Sequence, residues 1–166
     1  EDVIKAIPYL INKGYDIKYI LIGQGDSNRL KKLAYDLNVV DTVEFKGSLS
    51  HEKVFNELDK IDIYIHPSKQ EGLPRALIEA LSRACPAIGS DVAGIPELLP
   101  RNRIFKRGKI DEMILLIQRV IDGNLANDAK KNYFTSKEYS KTVLNKRRYK
   151  FFVEFLSDHN LKIKDT

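Results

Sequence analysis

Residues 61–79 read IDIYIHPSKQEGLPRALIE. Ile61 to His66 (IDIYIH) is β-branched and aromatic at alternate positions, the pattern of a strand, and Pro67 stops it because proline has no N–H for a ladder. Residues 68–74 contain Ser, Gly and Pro and read as a loop, and Arg75 to Ala84 reads as a helix. The free N–H groups of that helix's first turn point into the loop. Together with the helix dipole they make an anion site that suits a diphosphate.

The same alternation runs outward in both directions. Val3, Ile4, Ile7, Leu10 and Ile11 fall at helical spacing, and Gly14 ends that run. Ile17 to Ile22 is a strand closed by Gly23-Gln24-Gly25, and Ser27 to Asn38 is a helix. Val43-Glu44-Phe45 is a strand ending at Gly47, and Ser50 has the look of a cap for a helix running to about Asp59. Downstream come a strand at 87–89, a short helix at 95–99, a strand at 104–105, a helix at 110–121 and helical sequence to about His159. Strands alternating with helices predict an α/β chain: a Rossmann-like parallel sheet with helices on both faces. Ligands of such folds bind at the carboxyl ends of strands. The informative loops are therefore 23–26, 46–50, 66–74 and 89–95.

At 166 residues, 43% hydrophobic and 31% charged, the chain is one domain and neither disordered nor fibrous. No apolar run approaches the roughly 20 residues of a membrane span, and no basic leader precedes an apolar segment. The single cysteine, Cys85, excludes an internal disulfide or a multi-cysteine zinc site and reads as a buried thiol in a reducing compartment. Residues 1–100 carry 12 basic and 15 acidic side chains, and residues 101–166 carry 16 and 8. The net +5 is therefore a property of the C-terminal third, which argues against a uniformly basic nucleic-acid surface.

Glu71 and Glu79 carry the chemistry of the central loop. If both stood on one helix, their eight-residue offset would span about 12 Å, beyond the roughly 5–10 Å of a glycosidase pair; Glu71 lies at the mouth, before the helix. The spacing favours two grips on one elongated ligand, each accepting hydrogen bonds from vicinal hydroxyls. Taken alone, both acids also fit the start of a helix, where acids are favoured anyway. Gly23-Gln24-Gly25 looks like the opening of a dinucleotide fingerprint, but Asn28 stands where a third glycine is needed, so a plain turn is the better reading. His66 caps a strand or touches ligand, Arg75 reaches a phosphate or solvates the loop, and His51 and His159 read as solvated.

Read in order, these pieces resemble the donor-binding half of family-4 retaining glycosyltransferases of the GT-B fold. The matching residues are Gly23-Gln24-Gly25, Val43 to Gly47, Ile61 to Ser68, the Glu71/Glu79 pair, Ala84 to Ile88 and Asp91 to Glu97, spanning about residues 14–100. The resemblance implies that Glu71 is catalytic and contacts hydroxyls of the donor sugar, and that Glu79 holds the ribose. It implies that backbone amides of Gly72, Leu73, Arg75 and Ala76, around Pro74, face the diphosphate. Gly23, Gly25, Lys46, Gly47 and Ser48 would complete the donor site, the loop from Lys46 to Ser50 lying near the base. It implies no metal and no cofactor beyond the nucleotide-sugar substrate.

Three departures stand out. Pro74 replaces a glycine of many relatives and removes one N–H donor, and Cys85 runs straight into Pro86 where many relatives have a small glycine. The family's Arg/Lys phosphate grip has no counterpart from Glu1 onward.

The chain begins at Glu1 inside a helical pattern, so it reads as a piece of something longer. The expectation is that an edge strand, that grip and the acceptor-binding N-terminal domain lie upstream. Residues 1–135 are then the nucleotide-sugar-binding domain, and 136–166 a helix and tail crossing back toward the absent domain. Lys137, Lys141, Lys146, Arg147, Arg148 and Lys150 lead into Phe151, Phe152 and Phe155. This reads as an aromatic face packed on the domain or as a peripheral contact with anionic lipid. The whole suggests transfer of a hexose to a saccharide or lipid-linked saccharide in cell-surface polysaccharide biosynthesis, in the cytoplasm or at the inner face of the membrane. The alternatives are a GT-B sugar-nucleotide epimerase and a non-catalytic nucleotide-sugar-binding domain.

Overall fold

A computed structural model describes residues 1–159. The elements are α1 (Asp2–Asn12), β1 (Tyr19–Ile22), α2 (Asn28–Asp36), β2 (Val43–Gly47), α3 (His51–Leu58), β3 (Tyr64–His66), α4 (Arg75–Ser82), β4 (Ala87–Ser90), α5 (Ile95–Leu98), β5 (Ile104–Phe105), α6 (Ile110–Ile121), α7 (Leu125–Lys137) and α8 (Lys141–Asp158). Every strand pairing is parallel. The α/β class and the helix–strand alternation are those expected.

The sheet comes in two pieces, β1–β2 and β3–β4–β5. The break falls between β1 and β3, inside the order of the strands and not at an outer edge. Among the described residues no ladder joins β1 to β3. The two pieces meet through side chains: Ile17 and Tyr19, at and before β1, share a core with Ile63 and Ile65 at β3.

Helix α1 spans the break. Val3, Ala6 and Leu10 pack with Ile88, Phe105, Met113 and Ile117. Ile4 and Ile7, on the adjoining stripe, pack with Ala34, Val39 and Val43. A helix with two neighbouring apolar stripes is what two abutting cores need. Gly14, at φ +90, turns the chain out of α1 in a conformation that suits glycine.

β3 is shorter than its sequence suggests. Its ladder opens where the Tyr64 amide donates to the Pro86 carbonyl, 2.8 Å away. Its partner β4 begins only after Cys85-Pro86, so among the described residues no strand pairs with Ile61 to Ile63. Cys85 is buried, its Sγ lies 3.1 Å from the Leu58 carbonyl, and burial pushes its thiol up to about 11. Buried Asn132 of α7 donates from Nδ2 to the Cys85 carbonyl at 2.7 Å and ties that helix to the sheet. The boundary expected at residue 135 falls inside α7.

α8 differs from one of its two expected readings, because its aromatic face does not pack on the domain. Phe151, Phe152 and Phe155 are 61%, 54% and 43% exposed and touch mainly one another. Residues 160–166 of the expected tail lie outside the described residues.

Ala84 follows α4 at φ +59, in the left-handed region where a Cβ is unfavourable by about 1–2 kcal/mol. Ala84→Gly is expected to raise unfolding stability by about 1 kcal/mol, less than the strain relieved because glycine also loosens the unfolded chain. Urea denaturation reads this as a higher midpoint at an unchanged slope.

Candidate functional site

The loop between β3 and α4 is tied down from within and from both downstream loops. Ser68 Oγ donates to Glu71 Oε1 at 2.7 Å, and His66 Nε2 lies 2.9 Å from the same oxygen. Ser90 Oγ, at the end of β4, donates to the Ser68 carbonyl at 2.7 Å. Arg107, after β5, donates from Nη1 to the Lys69 carbonyl at 3.0 Å. The Gly94 amide donates to the Gly72 carbonyl, and a Cβ on Gly94 would stand 2.4 Å from that oxygen. Glycine is required at 94 for this close backbone approach.

The two hydrogen bonds, from Ser68 first and from His66, hold the Glu71 carboxyl below its ordinary range. Both converge on Oε1. The side chain is 25% exposed, so the acid is open to a ligand while its orientation is held.

Arg75 and Ala76 open α4 after Pro74, and the first amide of that turn with a partner is Leu77, bonded to the Pro74 carbonyl at 3.1 Å. The N–H groups of Arg75 and Ala76 therefore remain available to an anion. Both residues are exposed, as are Gly72 and Leu73, whereas Pro74 is buried. Glu79 is the fifth residue of the same helix, just over one turn from its start. Its Oε1 lies 3.9 Å from Nδ1 of His51, the first residue of α3, and its charge helps push the Tyr64 hydroxyl up, after the larger effect of burial.

The remaining expected residues collect at the ends of β1 and β2. The Gly23 amide donates to the Gly47 carbonyl at 2.9 Å, which brings Gly23 and Gly25 beside Gly47 and Ser48, all four exposed. From there the chain passes Ser50, whose Oγ caps α3 by accepting from the Lys53 amide, to His51 beside Glu79. The loops are thus brought into one rim. Lys46 is the exception: its Nζ is committed to Glu57 at 2.7 Å and Glu44 at 3.4 Å, so its charge is already spoken for. A cleft of about 330 Å³ lined by Glu1, Asp2, Arg29, Pro67 and Lys69 flanks the Glu71 loop but includes neither Glu71 nor Glu79.

The sequence reading left His66 open between two roles and did not single out Ser68 as a partner of Glu71, Tyr64 as a partner of His66 or Ser90 as a partner of Ser68. Four residues lie between His66 and Glu71, and only the turn at Pro67 shows that they meet. Among the described residues no three His, Cys, Asp or Glu side chains gather to hold a metal. No described helix is long and apolar enough to cross a membrane.

Comparison with known proteins adds three findings. The family model described as Glycosyl transferases group 1 matches residues 1–137, a longer stretch than the quoted motifs span. The chain is 33% identical to protein CapJ of Staphylococcus aureus over 71% of this chain and 30% of that protein. It is 27% identical to the phosphatidylinositol N-acetylglucosaminyltransferase gpi3 subunit of Schizosaccharomyces pombe over 98% of this chain and 37% of that one. The chain thus spans about a third of the length of these relatives. Among solved structures, Anabaena HepE in complex with UDP superposes with a TM-score of 0.80 at 17% identity, over 92% of this chain and 44% of that one. At that identity the likeness bears on the fold, and the fold is that of the GT-B glycosyltransferases.

The lowered Glu71 pKa sets a pH dependence. A group depressed in the folded state contributes stability above its unfolded value, here 4.5, and loses it as pH falls through the folded value. Wild type is therefore expected to exceed Glu71→Gln in stability at pH 7, with the gap closing below about pH 4.5. Denaturation of both from pH 7 downward checks this, and a gap that fails to narrow as pH falls below 4.5 contradicts it.

Proposed function

The chain belongs to the glycosyl transferases group 1 family, and on that premise we propose that it is the donor-binding half of a retaining, metal-independent glycosyltransferase. It would move a hexose from a nucleotide sugar to a saccharide or lipid-linked saccharide in cell-surface polysaccharide biosynthesis. The observation that carries the reading is Glu71, held through one carboxylate oxygen at the mouth of α4, with the open amides of Arg75 and Ala76 beside it and Glu79 about one turn into the helix. That order matches an extended ligand of sugar, diphosphate and ribose.

In this reading Glu71 accepts from the sugar hydroxyls, the α4 amides receive the diphosphate, and Glu79 accepts from the ribose. The rim of Gly23, Gly25, Gly47 and Ser48 lies toward the base. The bond from the anomeric carbon to the diphosphate oxygen breaks. The acceptor hydroxyl oxygen bonds to that carbon on the same face, and its proton leaves with the diphosphate. The protein's contribution is positioning and stabilisation of the leaving charge. HepE, a fold relative solved with UDP, supports a nucleotide ligand for this architecture. The epimerase alternative needs a histidine or acid free to move a proton at a sugar carbon. His66 is engaged at both ring nitrogens, by Tyr64 and by Glu71.

Glu71→Ala in the intact protein is expected to lower transfer by about 10²–10³ while the protein still folds, with only the modest loss of stability that removing this carboxylate's hydrogen bonds brings. Glu79→Gln is expected to weaken nucleoside diphosphate binding without altering sugar choice. Transfer assays with separate titrations of diphosphate and sugar nucleotide check both, and near-wild-type turnover in Glu71→Ala overturns the assignment.

The exposed Phe151, Phe152 and Phe155 next to Lys146, Arg147, Arg148 and Lys150 further suggest a peripheral contact with anionic lipid at the inner membrane face. Flotation with anionic vesicles at low salt is expected to exceed that with neutral ones and to fall at high salt. Equal recovery on both vesicle types removes the electrostatic contact.

A further inference from the structure

Glu71 does not choose its own orientation. Its ionised carboxylate has no hydrogen to give, so the nitrogen 2.9 Å from Oε1, Nε2 of His66, must donate. A neutral imidazole carries one N–H, which leaves Nδ1 as an acceptor. The group facing Nδ1 is the Tyr64 hydroxyl at 3.2 Å, which therefore donates. Burial pushes that hydroxyl's pKa up, so it keeps its hydrogen. The Tyr64 and His66 rings, one residue apart on the same face of β3, stack with centroids 5.9 Å apart and planes 26° off parallel. His66 itself is 9% exposed and has no room to swing.

We propose that His66 is a positioning residue for Glu71, its Nε2–H tautomer fixed by Tyr64 so that Oε1 is held and Oε2 is presented to the donor sugar. The chain Tyr64 to His66 to Glu71 runs from the core of the sheet to the mouth of the loop. Ser68, pinned through its carbonyl by Ser90, supplies the second donor to Oε1. A lone hydrogen bond from Ser68 leaves the carboxylate free to rotate about it, whereas two donors on one oxygen define its direction. This role rests on the donor-site reading of Glu71 given above.

Two measurements on the intact protein test it. Imidazole ¹⁵N spectra are expected to show His66 protonated at Nε2 and bare at Nδ1; a ring protonated at Nδ1 overturns the proposal whatever the ligand. Calorimetry compares uridine, guanosine and adenosine diphosphates with their glucose and N-acetylglucosamine conjugates, in wild type, His66→Gln, His66→Phe and Tyr64→Phe. The quantity read is the gain in affinity that the sugar adds over the bare diphosphate.

His66→Phe is expected to lose about tenfold or more of that gain, the worth of one hydrogen bond to a charged group, with diphosphate binding within about twofold of wild type. His66→Gln, which can still place an amide N–H near Oε1, is expected to recover most of it. Tyr64→Phe is expected to lie between, and it keeps the test open if His66→Phe does not fold. Retention of the full gain in the histidine variants, or a glutamine no better than phenylalanine, overturns the positioning role and leaves the donor site standing. A wild type that binds every conjugate no better than its diphosphate overturns the donor-site reading itself, and this role with it.

Discussion

The structure depends on α1 serving two cores at once. No backbone ladder links β1 to β3 among the described residues, so the relative placement of the two half-sheets rests on side-chain packing. Val3, Ala6 and Leu10 belong to one core and Ile4 and Ile7 to the other, all nearly inaccessible. Such packing is dense and resists sliding. The consequence reaches the site directly. The Gly23 and Gly47 loops ride on one half-sheet and the Glu71 loop on the other, and the packing of α1 together with the contact of Ile17 and Tyr19 with Ile63 and Ile65 relates the two.

On the β3 side the chain combines rigidity with exposure. Glu71 sits on a loop, where a side chain is normally mobile. Here the loop is held at Ser68 by Ser90, at Lys69 by Arg107 and at Gly72 by Gly94, and the carboxylate is held by Ser68 and His66. The constraint comes from three successive strand ends, β3, β4 and β5, which is how parallel sheets bring distant loops together at their carboxyl edge. Glu79 needs no such tethering because it is part of α4 itself.

The C-terminal region follows a different logic. α7 is anchored by a buried amide, Asn132 on the Cys85 carbonyl. α8 begins at a well-formed cap, Ser140, and then buries none of its side chains. Two of its cations pair locally, Arg147 with Glu138 at the end of α7 and Lys150 with Glu154, and Phe151 meets Phe152 edge to face and stacks on Phe155. A helix that leaves this much aromatic surface to solvent presents a face for contact with something outside the described chain.

The sequence by itself determined the class of fold, the order of its elements and the residues of the central loop. Strand and helix periods, Pro67 and Gly14 as stops and Ser50 as a cap are local signals, written within a few residues of what they control. The eight-residue offset of Glu71 from Glu79 is likewise a local feature, a loop acid followed by an acid in the helix that the loop opens into. Tertiary structure alone decided the rest. The break between β1 and β3, the start of β3 at Tyr64 and the exposure of Phe151 depend on which segments lie side by side. The commitment of Lys46 to Glu57, across 11 residues, is of the same kind. So is His66, which the sequence left between two roles. Whether it caps a strand or holds the acid is set by how sharply the chain turns at Pro67 and by a serine on the next strand, and no period or propensity in the sequence reports a contact of that kind.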